Sequence, residues 1–319
     1  MGAAEFVRHK IAYRYFVDPD LRRFDDMLKM YKSPGPRVLC WHESPWMKVA
    51  REDPDQRTVG EMLATEFGTD IAALGTGGWH LGVYRALARA LVQLPHRPEI
   101  VVFPVTLPRS TSVMWHRRPD LRFDNAIRIM DRWCERPRPL VWMHARDLGT
   151  REQWRAYLAM PSPSRYSELT VVQQFVDVKT HKAEDAEARR HQLAEIFAFH
   201  AGHDPDPDHE RMVEMVDAVT LLESTGIRCV LYATPFNVQA GVELHGADFA
   251  DHVASHVRLA AGLLGKAGAH AQLLDFHDRL EPSDYFHPYY GAEHFRDVGR
   301  RALAGWITDA VRNVASFTG

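Results

Sequence analysis

The sequence contains few cysteines and no long hydrophobic run. Its three cysteines, Cys40, Cys134 and Cys229, are far apart, and two of them lie in apolar stretches. An odd number at this spacing offers neither a disulfide framework nor a CxxC metal site, so we expect buried free thiols. No apolar run approaches the roughly 20 residues that a membrane-spanning helix needs. We therefore expect no membrane partner.

A strong charge of either sign is also lacking. The formal net charge is −3, which gives no overall electrostatic reason to bind nucleic acid, although a local basic surface is compatible with it. The first 20 residues mix charged and aromatic side chains and contain no continuous apolar core of the kind found in signal peptides. We therefore expect a cytoplasmic protein, with nucleic acid a disfavoured partner.

What the sequence does contain is an alternation of apolar runs and amphipathic segments. Five runs predict strands, and each of the first three ends in polar or glycine-rich residues with a helical segment before the next strand. This order is typical of right-handed parallel α/β units. We predict an α/β fold, a three-layer sandwich around a parallel sheet of the flavodoxin-like type. The predicted strands cover residues 38–41, 70–75, 99–105, 229–233 and 271–276.

The domain organisation follows from breaker residues and helical patterns. Residues 1–36 predict an N-terminal helical extension that ends at Ser-Pro-Gly-Pro, and residues 37–319 predict the α/β domain. Within that domain, residues from about 115 to 225 predict a largely helical insertion or lid. Its stretch HAGHDPDPDHE, residues 200–210, could offer ligands to a divalent metal. Because two prolines make it a loop without fixed ligand geometry, we predict a solvated connection and no metal site.

A candidate nucleophile follows the first predicted strand. In VLCWHESPW, residues 38–46, the apolar run stops at His-Glu-Ser-Pro. Ligands of open α/β sheets bind outside the carboxyl ends of the strands, so Ser44 stands where a nucleophile would. The alternative is that Ser44 only caps the following helix.

A glycine cluster, residues 75–78, follows the second predicted strand. Glycines between a strand and a helix let backbone N–H groups approach a ligand closely. The sequence GTGG lacks the GxGxxG spacing of a dinucleotide fingerprint. We therefore predict no nucleotide site here and no cofactor.

A serine nucleophile needs a base and a group that orients the base. Asp284 and His287 are three residues apart in a segment that follows the last predicted strand and precedes a C-terminal amphipathic helix. On its own, D-x-x-H is a common pattern. Paired with a serine after the first strand, it becomes a specific indication of a catalytic triad.

These motifs resemble the SGNH/GDSL hydrolase superfamily. HES at 42–44 stands where that family has GDS, PVTLPRSTS resembles a family segment, and the run from His287 to Phe295 resembles its H-L-N-x-x-G-A-x-x-F variant. The resemblance implies an SGNH-like α/β fold and acyl transfer by a serine enzyme. It implies the following roles: nucleophile Ser44, general base His287, orienting acid Asp284, and an oxyanion hole of the Ser44 and Gly75 N–H groups with a donor near Thr106.

The sequence departs from the family pattern in the family's third conserved block, which falls just after the third predicted strand. Thr106 stands where the family has an asparagine that donates to the oxyanion, and losing one such donor typically costs about 10²–10³ in rate. The Thr106 hydroxyl could replace it, as could Arg109 or Ser110. His42 and Glu43 also replace the usual glycine and aspartate before the nucleophile.

A second alignment makes His294 the base, because His294 and Gly299 also have the family's spacing of five residues. That alignment leaves Gly291 where the acid should be. We prefer His287, since only His287 keeps an aspartate in the orienting position.

Three residues are predicted to contact the substrate. Trp79 follows the glycine cluster, although packing at a helix start explains it equally well. Arg109 and Ser110 follow the third strand, and an arginine there could hold an anionic group.

We predict an esterase or an O- or N-acyltransferase that takes a small-molecule acyl donor and, for transfer, a hydroxyl or amine acceptor. Two alternatives remain: a non-catalytic ligand-binding protein on the same fold, and a transferase that uses an aminoacyl ester carried on RNA.

Overall fold

A five-stranded parallel sheet forms the centre of the molecule. The computed structural model describes residues 19–137, 149–162, 164–286 and 294–316. The sheet order is β2-β1-β3-β4-β5, and every pairing is parallel. The five predicted strands and the α/β fold with a flavodoxin-like sheet are therefore confirmed. The strands are β1 Val38–His42, β2 Ile71–Gly75, β3 Ile100–Val105, β4 Arg228–Ala233 and β5 Leu273–Asp275.

The strand order reverses between β1 and β3. Val38 of β1 is paired with Ile71 of β2 on one side and with Ile100 of β3 on the other. In open parallel sheets, ligands bind in the crevice that opens at such a switch point, outside the carboxyl ends of the strands. Ser44 follows β1 and Thr106 follows β3, so both residues lie at the edge where this crevice opens.

Helices cover both faces of the sheet. On one face, the helices at residues 19–30, 81–91, 124–135, 210–223 and 248–266 contribute to a single apolar core. On the other face, the helices at residues 59–67 and 297–316 form a second core. No helix in the described ranges has both the length and the apolar character of a membrane span. The helices are α1 Pro19–Met30, α2 Ser44–Met47, α3 Val59–Phe67, α4 Leu81–Leu91, α5 Val113–Arg117, α6 Asp124–Glu135, α7 Arg151–Leu158, α8 Val172–Thr180, α9 Ala186–Ala201, α10 Glu210–Glu223, α11 Val238–His245, α12 Asp248–Lys266 and α13 Asp297–Ser316.

The described residues between β3 and β4 are largely helical. Its last helix, α10, packs on α4 and buries Met215 and Val219 in the core beside the sheet. The helices α8 and α9 build a separate cluster in which Phe175 and Phe199 stack with their ring centroids 3.6 Å apart. The segment therefore contains both a layer helix of the sandwich and a small apolar core of its own.

The three cysteines are free thiols, as predicted. Cys40 and Cys229 are buried, and burial raises the pKa of both thiols. Cys134 is partly buried, and burial raises its pKa to about 11. All three are therefore protonated at neutral pH.

Two histidines of residues 200–210 are packed against other histidines. The His203 ring lies 4.9 Å from that of His256, and the His209 ring lies 4.4 Å from that of His116. The prediction of a solvated connection is wrong for these side chains, because α5 and α12 cover them. The three aspartates of the stretch are exposed, as expected.

Buried histidines make the fold sensitive to acid. Burial holds the pKa values of His80 and His200 well below the usual value, and it lowers those of His116 and His256 to about 3. Below about pH 6.5 these histidines bind protons in the unfolded chain but stay neutral in the folded chain. Stability is therefore complete above that pH and is lost as the pH falls towards the folded-state pKa values, by up to about 1.4 kcal/mol per pH unit for each histidine.

We predict that the free energy of unfolding, measured by urea titration, falls steeply between pH 6.5 and pH 5. His200→Leu should reduce this slope, because it removes one buried titrating group. His191→Gln, at an exposed position, serves as the control and should leave the slope unchanged. An equal slope for wild type and His200→Leu would contradict the prediction.

Candidate active site

Ser44 is the first residue of α2, immediately after β1 and Glu43. The next two residues fix this turn. Pro45 takes the first turn of the helix, where its missing N–H costs nothing. Trp46 is buried, stacks on His42 with 5.3 Å between ring centroids, and donates from Nε1 to the Tyr232 hydroxyl at 2.6 Å. Packing therefore holds the short helix in place, and the Ser44 side chain stays partly exposed.

His294 contacts Ser44 although 250 residues separate them. The distance from His294 Nε2 to Ser44 Oγ is 3.2 Å, within the reach of a base that accepts a serine proton. The backbone fixes the histidine: Phe286 N–H donates to the His294 carbonyl at 2.8 Å, and Tyr285 and Phe295 form an antiparallel bridge. Among the described residues, the histidine in contact with Ser44 is thus the less favoured of the two sequence candidates.

The preferred base, His287, lies outside the described residues. Asp284 is described and ends a 3₁₀ turn, Pro282–Asp284. One of its carboxylate oxygens accepts from Glu281 N–H at 3.1 Å, and its carbonyl accepts from Arg296 N–H at 2.7 Å. The Asp284 carboxylate therefore bonds within its own turn, and its role as an orienting acid stays a prediction.

A buried ion pair anchors the segment that carries His294. Arg300 and Asp53 are almost completely buried, and Arg300 Nη1 lies 2.9 Å from an Asp53 oxygen. The same guanidinium donates to the carbonyls of Phe295, Asp55 and Arg57 at 2.9, 2.5 and 3.0 Å. The loop after α2 and the start of α13 are therefore joined next to the Ser44–His294 contact.

The glycine cluster lies against the serine turn. A side chain at Gly75 would begin 2.0 Å from the His42 carbonyl oxygen, so only glycine fits. A Cβ at Gly77 would lie 3.7 Å from Ser44 Cβ, in ordinary van der Waals contact. Gly78 has a φ of 89°, in the left-handed region that favours glycine. The loop backbone therefore lies close to Ser44, at the position proposed for oxyanion donors.

Thr106 is part of a buried polar chain across three strand ends. Its hydroxyl is hydrogen-bonded to the Glu43 carboxyl and lies 3.1 Å from the Thr234 hydroxyl. Burial raises the pKa of Glu43 to about 7, although the hydrogen bond from Thr106 and the charge of Arg109 both lower it. Glu43 therefore changes its protonation state close to neutral pH.

A small cavity adjoins Glu43 and contains the three predicted substrate residues. It has room for about one water molecule. The Arg109 guanidinium lies 4.2 Å from the centroid of the Trp115 ring. The Tyr84 and Ser110 hydroxyls are buried and have no hydrogen-bond partner within the described ranges. The cavity is thus lined by aromatic rings, one carboxyl, one guanidinium and hydroxyls. Its lining residues are Glu43, Trp79, His80, Leu81, Tyr84, Pro104, Thr106, Arg109, Ser110 and Trp115.

Two features of the site were not singled out from the sequence. The burial of Glu43 is one, and its position two residues after the apolar run 38–41 was the available signal. The position of Tyr84 in the cavity wall is the other. In the sequence Tyr84 is one of several residues on the apolar face of a helix, so nothing distinguished it as a site residue. Both become visible only when the strand ends and α4 come together in space.

A group that could hold a metal ion lies after β5. Among the described residues, Asp275, His277 and Asp278 bring their ligand atoms within 4.8 Å of one another. His277 Nδ1 is already hydrogen-bonded to Asp275 at 2.5 Å, and both aspartates are exposed. This is the arrangement of an ordinary surface pair, and we assign no metal to it.

A flavodoxin-like parallel sheet with a serine and a histidine in contact at its carboxyl edge is an architecture that serine hydrolases use. No family model matches the sequence, and no curated protein matches it.

Similar solved structures include the inhibitor-bound aryl esterase of M. smegmatis, with 12% identity and a TM-score of 0.39 over 87% of this chain and 99% of that one. A catalytic mutant of an acetylxylan esterase from Geobacillus stearothermophilus matches with 11% identity and a TM-score of 0.37 over 86% and 93%. An alpha/beta hydrolase enzyme from the metagenome of Lake Arreo, Spain, matches with 12% identity and a TM-score of 0.37 over 86% and 94%. Likenesses of this size assign no activity to this chain.

We predict that Arg300→Ala lowers the free energy of unfolding by about 3–5 kcal/mol, because it leaves the Asp53 carboxylate buried with its closest cation removed. Chemical denaturation measures the effect. Arg301→Ala is the matched control on the same helix. Its pair with Asp297 is exposed on the arginine side, so its loss should cost less than about 1 kcal/mol. Similar costs for the two variants would contradict the anchoring role of Arg300.

Proposed function

We propose that this chain is a serine-dependent esterase with Ser44 as nucleophile and His294 as general base. The observation that carries the proposal is the 3.2 Å contact between His294 Nε2 and Ser44 Oγ, at the carboxyl edge of the sheet where β1 and β3 diverge. A serine hydroxyl is a weak nucleophile until a neighbouring base accepts its proton. The resemblance of the sequence to SGNH/GDSL hydrolases supports the same reaction.

In the proposed reaction, the Ser44 oxygen attacks the carbonyl carbon of an ester while His294 takes the serine proton. The carbonyl oxygen becomes an oxyanion, stabilised by N–H groups of Ser44 and the glycine cluster and by the hydroxyl of Thr106. His294 then gives its proton to the leaving alcohol, and an acyl group remains on Ser44. Water, activated by the same histidine, releases the acid.

The acyl group that we propose is short. The cavity beside Glu43 is small and is bordered by the indole rings of Trp79 and Trp115. Because this cavity has room for about one water molecule, a long acyl chain would have to displace buried aromatic side chains. We therefore propose the order acetate, butyrate, octanoate for decreasing kcat/KM.

Transfer to a hydroxyl or amine acceptor, in place of water, uses the same acyl-enzyme. We propose hydrolysis as the basal reaction, because it needs no second binding site. An acceptor that speeds the release of the acyl group would show that transfer also occurs.

The base assignment predicts a difference between two histidine variants. With p-nitrophenyl acetate, Ser44→Ala and His294→Asn should each lower kcat by about 10³-fold or more, since the nucleophile and its base act as one unit. His287→Asn should lower kcat by less than about tenfold. Steady-state rates with each purified variant, checked for folding by circular dichroism, provide the measurement.

The opposite result for the histidines, a large loss in His287→Asn and a small one in His294→Asn, would make His287 the base and leave Ser44 as nucleophile. A rate that is unchanged in Ser44→Ala would refute the esterase proposal itself. It would favour a non-catalytic binding protein on this fold.

A further inference from the structure

We propose that Glu43 is a positioning residue that sets the direction of the Thr106 hydroxyl and so controls whether this hydroxyl is available to the oxyanion. The proposal rests on the proposed function, because it needs an oxyanion to form beside Ser44. Glu43 does not itself contact the reacting atoms in this scheme. It acts through Thr106.

The proposal is based on the hydrogen bonds at the carboxyl edge of the sheet. Glu43 directly precedes Ser44 and is buried, and its carboxyl is hydrogen-bonded to the Thr106 hydroxyl. That hydroxyl lies 3.1 Å from the hydroxyl of Thr234, so the chain of polar groups crosses the ends of β1, β3 and β4. The Thr106 hydroxyl has a single hydrogen to donate, and its neighbours decide where that hydrogen points.

The proton on Glu43 selects between two arrangements. An ionised carboxylate can only accept, so the Thr106 hydroxyl must then donate its hydrogen to Glu43. A protonated carboxyl donates its own hydrogen to the Thr106 oxygen. The Thr106 hydrogen is then released and can turn towards Thr234 or towards a developing oxyanion. Only when Glu43 is protonated, therefore, can the Thr106 hydroxyl donate to the oxyanion. Thr106 stands where the hydrolases that the sequence resembles have an asparagine.

The other titratable groups beside Glu43 do not change charge near neutral pH. Burial lowers the pKa of the preceding residue, His42, to about 4. Burial raises the pKa values of Tyr84 and Tyr232 well above their usual value and holds that of His80 well below it. Arg109 stays positively charged throughout. Burial places the pKa of Glu43 at about 7. Glu43 is therefore the member of this group that titrates in the working range.

The expected signature is a loss of activity with rising pH. Above about pH 7, kcat/KM of the wild type should fall up to tenfold per pH unit as Glu43 ionises, which is up to about 10²-fold by pH 9, at the lower end of the 10²–10³-fold that one oxyanion donor typically contributes. A mechanism with the Ser44–His294 pair alone predicts the opposite direction, because a neutral imidazole is favoured as the pH rises.

The experiment compares pH profiles from pH 6 to pH 9 with p-nitrophenyl acetate for wild type and Glu43→Gln, corrected for spontaneous hydrolysis. Glutamine has nearly the same shape as glutamate but does not ionise. The Glu43→Gln profile should therefore lack the fall above pH 7. Thr106→Val should be about 10²–10³-fold slower at pH 6.5 and should also lack the fall. Thr106→Ser keeps a hydroxyl and should reproduce the wild-type profile.

A fall above pH 7 that persists in Glu43→Gln would overturn the proposal, as would a wild-type profile without that fall. If Glu43→Gln does not fold by circular dichroism, the two Thr106 variants decide: the proposal fails if valine keeps the fall or serine loses it. The Ser44→Ala variant distinguishes a failure of the proposed esterase function from a failure of the role proposed for Glu43. Hydrolysis that does not depend on Ser44 refutes the proposed function and with it the role of Glu43, whereas Ser44-dependent hydrolysis with equal Glu43→Gln and wild-type profiles refutes the role of Glu43 alone.

Discussion

The buried ion pair between Arg300 and Asp53 is the constraint on which the site depends. Ser44 and His294 come from opposite ends of the chain, and a contact between them needs a fixed relation between the loop after α2 and the start of α13. Arg300 provides this relation, because its guanidinium bonds Asp53 and three backbone carbonyls from both segments. A buried charge that loses its partner is strongly destabilising, so the two segments have little freedom to separate.

The second constraint is the sheet topology. The chain leaves β1 towards β2 and returns to β3 on the other side, which opens a crevice at the carboxyl edge. Glu43, Thr106 and Thr234 follow three different strands, yet they form one hydrogen-bonded chain there. The sequence has Thr106 where the hydrolases that it resembles have an asparagine. In our account, the acidic residue before the nucleophile and the threonine that replaces the asparagine work as a pair.

The fold was largely predictable from the sequence because its signals are local. Each strand is an apolar run that ends at a polar residue or glycine, and this pattern also predicted Ser44 at the edge of the sheet. The choice between His287 and His294 was not local. Residue spacing says which histidine fits a family motif, whereas the contact of His294 with Ser44 depends on the backbone pairing of Phe286 with His294. His203 and His209 were misjudged for the same reason, since the histidines that pack on them lie on α12 and α5.

Covalent labelling shows directly whether Ser44 is the nucleophile. A fluorophosphonate should add one phosphonyl group to the wild-type protein, intact-protein mass spectrometry should detect it, and peptide mapping should locate it on Ser44. His294→Asn should label at least about 10²-fold more slowly, because the serine loses its base. Equal labelling rates for wild type and Ser44→Ala, or a label on another residue, would contradict the account.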